Sequence, residues 1–471
     1  MRLRLTAAVA VGKILIKLLR LVRRSGTTLP GRVSLMLQPA LIEMISHSVP
    51  RVRAVISGTN GKTTSAALLG SILQSAGMST VRNISGANLL SGVATTLVEH
   101  ADLFGRLATD SLVIEVDEAT MPLVTPRLRP ELTIITNFFR DQLDRFGELD
   151  RTVSLVRESL AHASGRVCIN ADDPLAAGLA REVSSSAQAV LFGLRSPAGE
   201  DEEHSDSSSP SDVQFCPECG VRLRYLRSTY GHLGEYRCSS CGFERPPLDV
   251  SGEIIGGGGA EGTGLRIRFE ANVPVAGEAV EVFVRIPGTY NAYNALAAAS
   301  GAAALGLGMD AIREGLESFA GVFGRMERVT LPGGELMLAL VKNPVGFTEV
   351  LRTVAASGGP AVLLLAINDH LADGTDISWL WDVDFSRFAD RKEIEFIVSG
   401  LRAEDMAVRL KYAGVSLSNI RVQPDLQQAA GDALDLSGGE VPVFVLPTYT
   451  AMLGLRKSLV ERGLVGRMWE G

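Results

Sequence analysis

The chain has 471 residues, a formal net charge of −7 and 46% hydrophobic residues, so it can form several packed cores and is not a disordered protein. Because the overall charge is acidic, we expect no binding to nucleic acid. The sequence contains no long run of uncharged apolar residues, which argues against a membrane-spanning helix.

The N-terminal part, residues 1–45, is predicted to be a basic helical segment. Lysines and arginines interrupt an apolar periodicity between Leu3 and Arg24, which is typical of an amphipathic helix. Two interpretations stay open. The helix either covers the first domain, or it makes peripheral contact with an anionic membrane face.

A phosphate-binding loop is predicted between a short apolar strand, residues 52–57, and a helix from Ser65 to Ala76. The loop sequence is Gly58-Thr59-Asn60-Gly61-Lys62-Thr63-Thr64. Its glycines allow backbone N–H groups to surround the phosphates of ATP, while Lys62 is expected to reach the β- and γ-phosphates and Thr63 to bind Mg²⁺. Ile56 occupies a position that is glycine in the common pattern, so the loop is a variant.

Predicted strands and helices alternate along the rest of the chain and indicate two α/β domains. The first, ATP-binding domain is assigned to residues 46–321. The second, Rossmann-like domain is assigned to residues 322–471. Residues 196–212 are rich in serine and acidic residues, so we expect a solvated loop there.

Four cysteines predict a metal site in an insert at about residues 213–248. They are Cys216, Cys219, Cys238 and Cys241. Two close pairs with a longer segment between them are typical of a zinc ribbon, in which four thiolates surround one structural Zn²⁺ ion. Such a site is more common than a disulfide framework inside cells, so we expect the protein in the cytoplasm. Cys168 lies in a predicted strand and is expected to be buried.

Several segments resemble the Mur ligase superfamily, which joins amino acids to cell-wall precursors. They are the loop 58–64, Glu115 at a strand end, the segment from Thr136-Asn137 to Asp144, the pair Asn291 and Asn294, and Gly324-Arg325-Met326-Glu327. The resemblance implies that Glu115 binds Mg²⁺ together with Thr63, and that Asn294 and Arg325 belong to the ATP site. Gln142 replaces a histidine of the superfamily pattern.

An acidic stretch at residues 368–382 makes the resemblance more specific. Together with the variant loop and the four-cysteine insert, it is similar to the MurT family, the ligase subunits of lipid II isoglutaminyl synthases. In that family the partner is a GatD-type glutamine amidotransferase, which docks on the C-terminal domain, and an aspartate of the ligase subunit completes the partner's catalytic triad. The motif assigns this role to Asp376, with Asp373 and Asp369 as alternatives.

The resemblance implies a function in peptidoglycan synthesis. A heterodimer with the amidotransferase would amidate the D-glutamate α-carboxylate of lipid II through an acyl phosphate, with Lys62 and Glu115 acting in phosphoryl transfer. Two alternatives remain open. One is a free-standing ligase that adds an amino acid, as folylpolyglutamate synthase does, and the other is a non-enzymatic ATP-binding scaffold.

Overall fold

The computed structural model describes most of the chain, in the ranges 2–21, 27–83, 86–140, 149–195, 212–256, 261–319, 321, 324–331, 334–356 and 358–461. The predicted acidic loop, apart from Asp212, lies outside the described residues, and so do Gln142 and Asp144. The side chain of Arg325 is also outside the described set.

The helices are numbered in chain order. They are α1 Arg2–Leu21, α2 Leu29–Leu37, α3 Leu41–Ser46, α4 Lys62–Ser75, α5 Leu90–His100, α6 Met121–Leu128, α7 Leu149–Leu160, α8 Pro174–Leu179, α9 Thr289–Ala304, α10 Met309–Glu317, α11 Pro344–Ala356, α12 Ala403–Tyr412, α13 Leu426–Ser437 and α14 Tyr449–Glu461.

The strands fall into two large sheets and one hairpin. They are β1 Val52–Ser57, β2 Thr80–Arg82, β3 Ser111–Glu115, β4 Leu132–Ile135, β5 Arg166–Asn170, β6 Gln188–Arg195, β7 Arg224–Tyr230, β8 Leu233–Arg237, β9 Val250–Gly256, β10 Thr263–Phe269, β11 Ala279–Val284, β12 Arg325–Leu331, β13 Gly334–Ala339, β14 Ala361–Ala366, β15 Ile394–Ser399, β16 Ile420–Val422 and β17 Val443–Pro447.

The first sheet has the strand order β11-β10-β9-β6-β5-β4-β1-β3-β2. Its strands pair in parallel, except that β10 and β11 form an antiparallel edge. Successive side chains of β1 face opposite sides. Ala54 and Ile56 join one core cluster with α4 and α9, and Val55 joins the other. Both faces are therefore buried, as a parallel sheet requires.

The second sheet has the order β12-β13-β17-β14-β15-β16 and is parallel apart from β12. Its central strand β14 is buried along its whole length. Separate apolar clusters cover its two faces. The predicted fold class, two α/β sheets with a cysteine-containing insert in the first domain, is confirmed, and the domain boundaries stay a prediction.

The insert connects two neighbouring parallel strands of the first sheet. β6 pairs with β9 from Phe192 beside Val250 to Arg195 beside Glu253. The antiparallel hairpin β7–β8 lies in the chain between them. Parallel neighbours need a crossover connection, which is usually a helix, and here the cysteine segment makes that connection.

The N-terminal helices complete one face of the first domain. Leu5, Ala8 and Ile16 of α1 are buried in the same cluster as residues of α5. α2 packs between α1 and α5, where the Ser34 hydroxyl donates to the backbone oxygen of Ala8. One face of the basic helix therefore packs on the first domain, and contact of its other face with a membrane stays a prediction.

Two helical glycines offer a matched test of this packing. A β-carbon at Gly31 in α2 would lie 1.9 Å from the backbone oxygen of Ser91 in α5, whereas one at Gly431 in α13 would meet no atom within 4 Å. We expect Gly31→Ala to lower the free energy of unfolding by about 1–3 kcal/mol through overpacking. Gly431→Ala should raise it by roughly 0.5–1 kcal/mol through helix propensity. Denaturant unfolding of both variants measures this difference, and equal effects would contradict the close α2–α5 contact.

Candidate active site

The predicted phosphate-binding loop joins β1 to α4 through two glycines. Gly58 has a φ of 125° and Gly61 a φ of 86°, values at which a β-carbon strains the backbone. A β-carbon at Gly61 would also lie 2.0 Å from Asn294 Oδ1. α4 begins at Lys62, and none of the described side chains caps its N-terminus. Its first N–H groups are therefore available to an anion.

The segment Thr136-Asn137, which follows β4, holds the loop in place. The backbone N–H of Thr59 donates to the backbone oxygen of Asn137 at 2.8 Å, and that of Asn60 donates to Asn137 Oδ1 at 2.9 Å. The Thr136 hydroxyl donates to the backbone oxygen of Asn60 at 2.8 Å. Because these two loop N–H groups bind the protein itself, the start of α4 is the part of the loop left for phosphate.

Lys62 is buried and forms an ion pair with Glu118. Its Nζ lies 3.2 Å from each carboxylate oxygen of Glu118 and also donates to the backbone oxygen of Gly58. Both side chains are less than a tenth exposed, so removal of either partner would leave a buried unpaired charge. Sequence reasoning missed Glu118, although its place three residues after Glu115, just past the same strand end, was a usable signal.

Thr63 and Glu115, the predicted Mg²⁺ ligands, lie together. The Thr63 hydroxyl donates to Glu115 Oε2 at 2.7 Å. The Asn83 side chain fixes the end of β3, since it accepts from the backbone N–H of Glu115 and donates to its backbone oxygen, both at 2.8 Å. The pair offers oxygen ligands at the start of α4 and the end of β3, which is the kind of donor that Mg²⁺ prefers.

An acidic cluster, defined here as Glu115, Asp117 and Glu118, surrounds this point, and all three side chains are buried. Burial and then the charge of Glu118 raise the pKa of Asp117, while Lys62 and Lys342 oppose the rise. Two lysines do not balance three carboxylates in a buried region, so a bound metal cation would lower the free energy of this cluster. The residues therefore fit the expected Mg²⁺.

Asn294 lies directly beside the loop. Its Oδ1 is 3.4 Å from the Ser65 hydroxyl, and its Nδ2 donates to Asn291 Oδ1 at 3.0 Å. Both asparagines are buried on α9. Thr64 is buried in the first turn of α4. For Arg325 the structure describes only the backbone, which starts β12, so its contact with ATP stays a prediction.

The second domain reaches the same loop, which sequence reasoning did not foresee. Lys342 Nζ donates to the backbone oxygen of Thr59 at 3.3 Å, and Asn343 Nδ2 donates to Asn60 Oδ1 at 2.9 Å. Both residues lie between β13 and α11. Residues of both domains thus meet at the candidate nucleotide site, with Lys342 as a second cation on the loop.

The four cysteines of the insert come together as predicted. Their sulfur atoms all lie within 4.8 Å of one another. Gly220 and Gly242, which follow the two pairs, have φ values of 73° and 74°, as tight knuckle turns require. Backbone N–H groups of Cys241 and Ser240 lower the pKa of the Cys238 thiol to about 6. Four converging thiols, one favoured as thiolate, fit a tetrahedral Zn²⁺ site.

The hairpin β7–β8 of the cysteine insert contacts the phosphate-binding loop. Asn60 Nδ2 donates to the Tyr230 hydroxyl at 3.2 Å. His232 is fully buried against the ring of Phe139, 4.5 Å between ring centres, and is separate from the cysteine cluster. Phe139 in turn exchanges hydrogen bonds with the Thr59 hydroxyl. The cysteine insert therefore supports one side of the candidate nucleotide site.

The carboxylates of residues 368–382 differ in their surroundings. Asp369 pairs with Arg402 at 2.6 Å, and the buried Asp373 accepts from the backbone N–H of Thr450 at 2.7 Å. Asp376 is exposed and accepts from the N–H of Ser378, which lowers the pKa of its carboxyl group. Of these three, Asp376 is the ionised carboxylate that a docked protein could reach.

Two family models match the chain. The Mur ligase middle domain matches residues 56–223, and the MurT ligase C-terminal model matches residues 340–452. These ranges contain the phosphate-binding loop and the acidic stretch, respectively.

Relatives of the chain are similar over nearly its whole length. The lipid II isoglutaminyl synthase (glutamine-hydrolyzing) subunit MurT of Staphylococcus aureus (strain COL) is 32% identical over 452 residues, 96% of this chain and 97% of that protein. The protein with the same description from Streptococcus pneumoniae (strain ATCC BAA-255 / R6) is 32% identical over 93% of this chain and 94% of its own length. Among solved structures, a pseudomurein peptide ligase type C from Methanothermus fervidus has a TM-score of 0.64 at 21% identity, covering 88% of this chain and 79% of that one, which supports the fold.

The cysteine cluster predicts a measurable metal content. The purified chain should contain one Zn²⁺ per molecule, and a Cys216→Ser, Cys241→Ser double variant should lose it, because two ligands are too few for a structural site. The loss should lower the melting temperature, since the hairpin β7–β8 would lose its support. Cys168→Ala is the control for zinc content, as Cys168 is buried in β5 away from the cluster. Elemental analysis and thermal unfolding measure both effects, and full zinc in the double variant would contradict the site.

Proposed function

Since this chain belongs to the MurT family of Mur-type ligases, we propose that it uses ATP to amidate the D-glutamate α-carboxylate of lipid II. Relatives described as MurT are subunits of a glutamine-hydrolysing lipid II isoglutaminyl synthase. The observation that carries the proposal is the meeting of Lys62, Thr63 and the acidic cluster at the start of α4. This is the arrangement that a phosphoryl transfer requires.

The reaction begins with the activation of a poor electrophile. A carboxylate oxygen of the substrate attacks the γ-phosphorus of ATP, and the bond between that phosphorus and the β,γ-bridging oxygen breaks. The products of this step are ADP, which departs, and an acyl phosphate on the substrate. The N–H groups at the start of α4 and the ammonium of Lys62 stabilise the negative charge on the phosphates. Bound at Thr63 and Glu115, Mg²⁺ would supply further charge neutralisation.

Ammonia then attacks the acyl carbon, and inorganic phosphate leaves as the amide forms. The attacking ammonia loses a proton, and the product is D-isoglutamine within the stem peptide. Cys168 is buried, with its pKa raised by that burial, and the other four cysteines converge in a cluster that could hold a metal ion. We therefore assign the glutaminase nucleophile to a GatD-type partner subunit.

The partner is proposed to dock on the second domain around Asp376. Leu371, Trp381 and Tyr412 are exposed there, and the rings of Trp381 and Tyr412 lie 5.8 Å apart. Exposed aromatic side chains of this kind are typical anchors of protein interfaces. The carboxylate of Asp376 would then accept a hydrogen bond from the partner's histidine and stabilise its protonated form.

Removing the Lys62 ammonium tests the ligase role. Lys62→Ala should lower the rate of lipid II amidation with free ammonia roughly 10²- to 10³-fold, because the phosphates lose a fixed positive charge. The exposed Lys392 provides the control variant Lys392→Ala, which should retain full activity. Mass spectrometry of the stem peptide identifies the product.

A second variant separates this effect from unfolding. Lys62→Ala leaves Glu118 buried without its partner, so the double variant Lys62→Met, Glu118→Gln removes both charges at similar volume. It should unfold near the wild-type temperature yet stay inactive. Amidation at the wild-type rate by either folded variant would contradict the proposed loop function.

Replacing Asp376 tests the partner site. In the complex, Asp376→Asn should reduce glutamine hydrolysis roughly 10³- to 10⁴-fold, since the neutral amide no longer orients and stabilises the histidine. Amidation with free ammonia should be unchanged, because the ligase site is separate. Asp382→Asn, another exposed aspartate of the same stretch, is the control. Full glutaminase activity of the Asp376 variant would contradict the assignment of the triad aspartate to Asp376. Loss of activity in Asp369→Asn instead would assign that role to Asp369.

A further inference from the structure

Helix α1 has two apolar stripes on opposite sides. The buried stripe, Leu5, Ala8, Val9, Gly12 and Ile16, packs on the first domain. At ~100° per residue, positions 3, 7, 10, 14, 18 and 21 lie within roughly 80° of one another and about opposite that stripe. We call this second set the outer stripe.

The leucines and isoleucine of the outer stripe are open to solvent. Leu3 is 87% exposed, Ile14 57%, Leu18 53% and Leu21 80%. A single exposed apolar residue is ordinary, but a continuous row along the whole of α1 indicates a surface that binds something. Among the helices of the described ranges, none combines the length and the apolar character that a bilayer span needs.

The charged side chains of α1 itself have one sign, although one of them, Arg20, pairs with Glu99 of α5. The first 42 residues contain eight lysines and arginines and no aspartate or glutamate, in a chain whose net charge is −7. Lys17 flanks the outer stripe on one side and Arg4 on the other, and both are exposed. An apolar stripe edged by cations is typical of helices that lie in the interface of an anionic membrane.

The same charges disfavour a second copy of the chain as the occupant. A homodimer along the outer stripe would bring Lys17 and Arg4 of both copies close together. α1 carries no acidic residue that could pair with them. Like charges at the edges of a helix pair are destabilising, whereas phospholipid headgroups supply the opposite charge.

The neighbouring helix α2 connects this surface with the nucleotide site. Leu35 and Met36 of α2 line a groove of about 450 Å³ together with Thr120. Thr120 belongs to the same short turn as Glu118, the partner of Lys62. The helix next to α1 thus lines a groove beside the acidic cluster, which a lipid-linked acceptor could enter.

We propose that the outer stripe of α1 and its flanking cations form an interfacial membrane anchor that binds anionic phospholipid. The purpose of this anchor rests on the proposed lipid II substrate. It holds α1 parallel to the bilayer, with the acyl tail of the acceptor left in the membrane and the stem peptide presented to the site.

Flotation with vesicles tests the anchor on the full chain. The wild type should bind vesicles of phosphatidylglycerol and phosphatidylethanolamine and bind pure phosphatidylcholine at least tenfold more weakly. Ile14→Ser, Leu18→Ser, Leu21→Ser should reduce binding to the anionic vesicles more than tenfold. Lys17→Gln should reduce it roughly fivefold, an effect that vanishes in high salt. Leu417→Ser, an exposed leucine of the second domain, is the control.

Each other outcome overturns the proposal. Equal binding to neutral and anionic vesicles, or anionic binding retained by the triple variant, removes the anchor. A dimer in sedimentation that the triple variant abolishes, without vesicle binding, assigns the outer stripe to a second copy. The assay contains neither ATP nor acceptor, and amidation in detergent micelles needs no bilayer. A failed anchor is therefore distinguishable from a failed ligase function.

Discussion

The buried ion pair between Lys62 and Glu118 is the interaction on which the nucleotide site depends. In an open loop a lysine would extend into water, and its ammonium would have no fixed position. Here Glu118 and the carbonyl oxygen of Gly58 hold it at the start of α4. The ammonium of Lys62 therefore has a fixed position before any nucleotide binds, and electrostatic stabilisation is most effective when charges are positioned in advance.

Asn60 links three parts of the molecule at this point. Its backbone and side chain contact Asn137 in the segment after β4, Tyr230 of the hairpin β7–β8 and Asn343 of the second domain. A shift of either the hairpin β7–β8 or the second domain would therefore change the hydrogen bonds of Asn60 and so the position of the loop. The phosphate-binding loop and the proposed partner surface lie on different domains, and the contacts of Lys342 and Asn343 supply a physical connection between those domains.

The sequence predicted the parts of the site that local patterns encode. Gly58 and Gly61 are needed for the turn itself. The four cysteines have a spacing in the sequence that is typical of a metal site. Glu115 meets Thr63 because β1 and β3 are parallel neighbours, whose carboxyl ends lie together. The contacts of Lys342 and Tyr230 could not be found in this way. Each joins the loop to a distant part of the chain and depends on how separately formed units dock, for which no periodicity or spacing gives a signal.

The route of the chain from β6 to β9 limits how the protein can be shortened. The two neighbouring strands run in the same direction. The end of β6 and the start of β9 therefore lie at opposite ends of the strands, separated by the length of a strand. An engineer who excised the cysteine segment and fused the cut ends with a tight turn would reverse β9 and disrupt the register of β10 and β11. Any minimal version of this enzyme must therefore keep a bridge of comparable reach between β6 and β9.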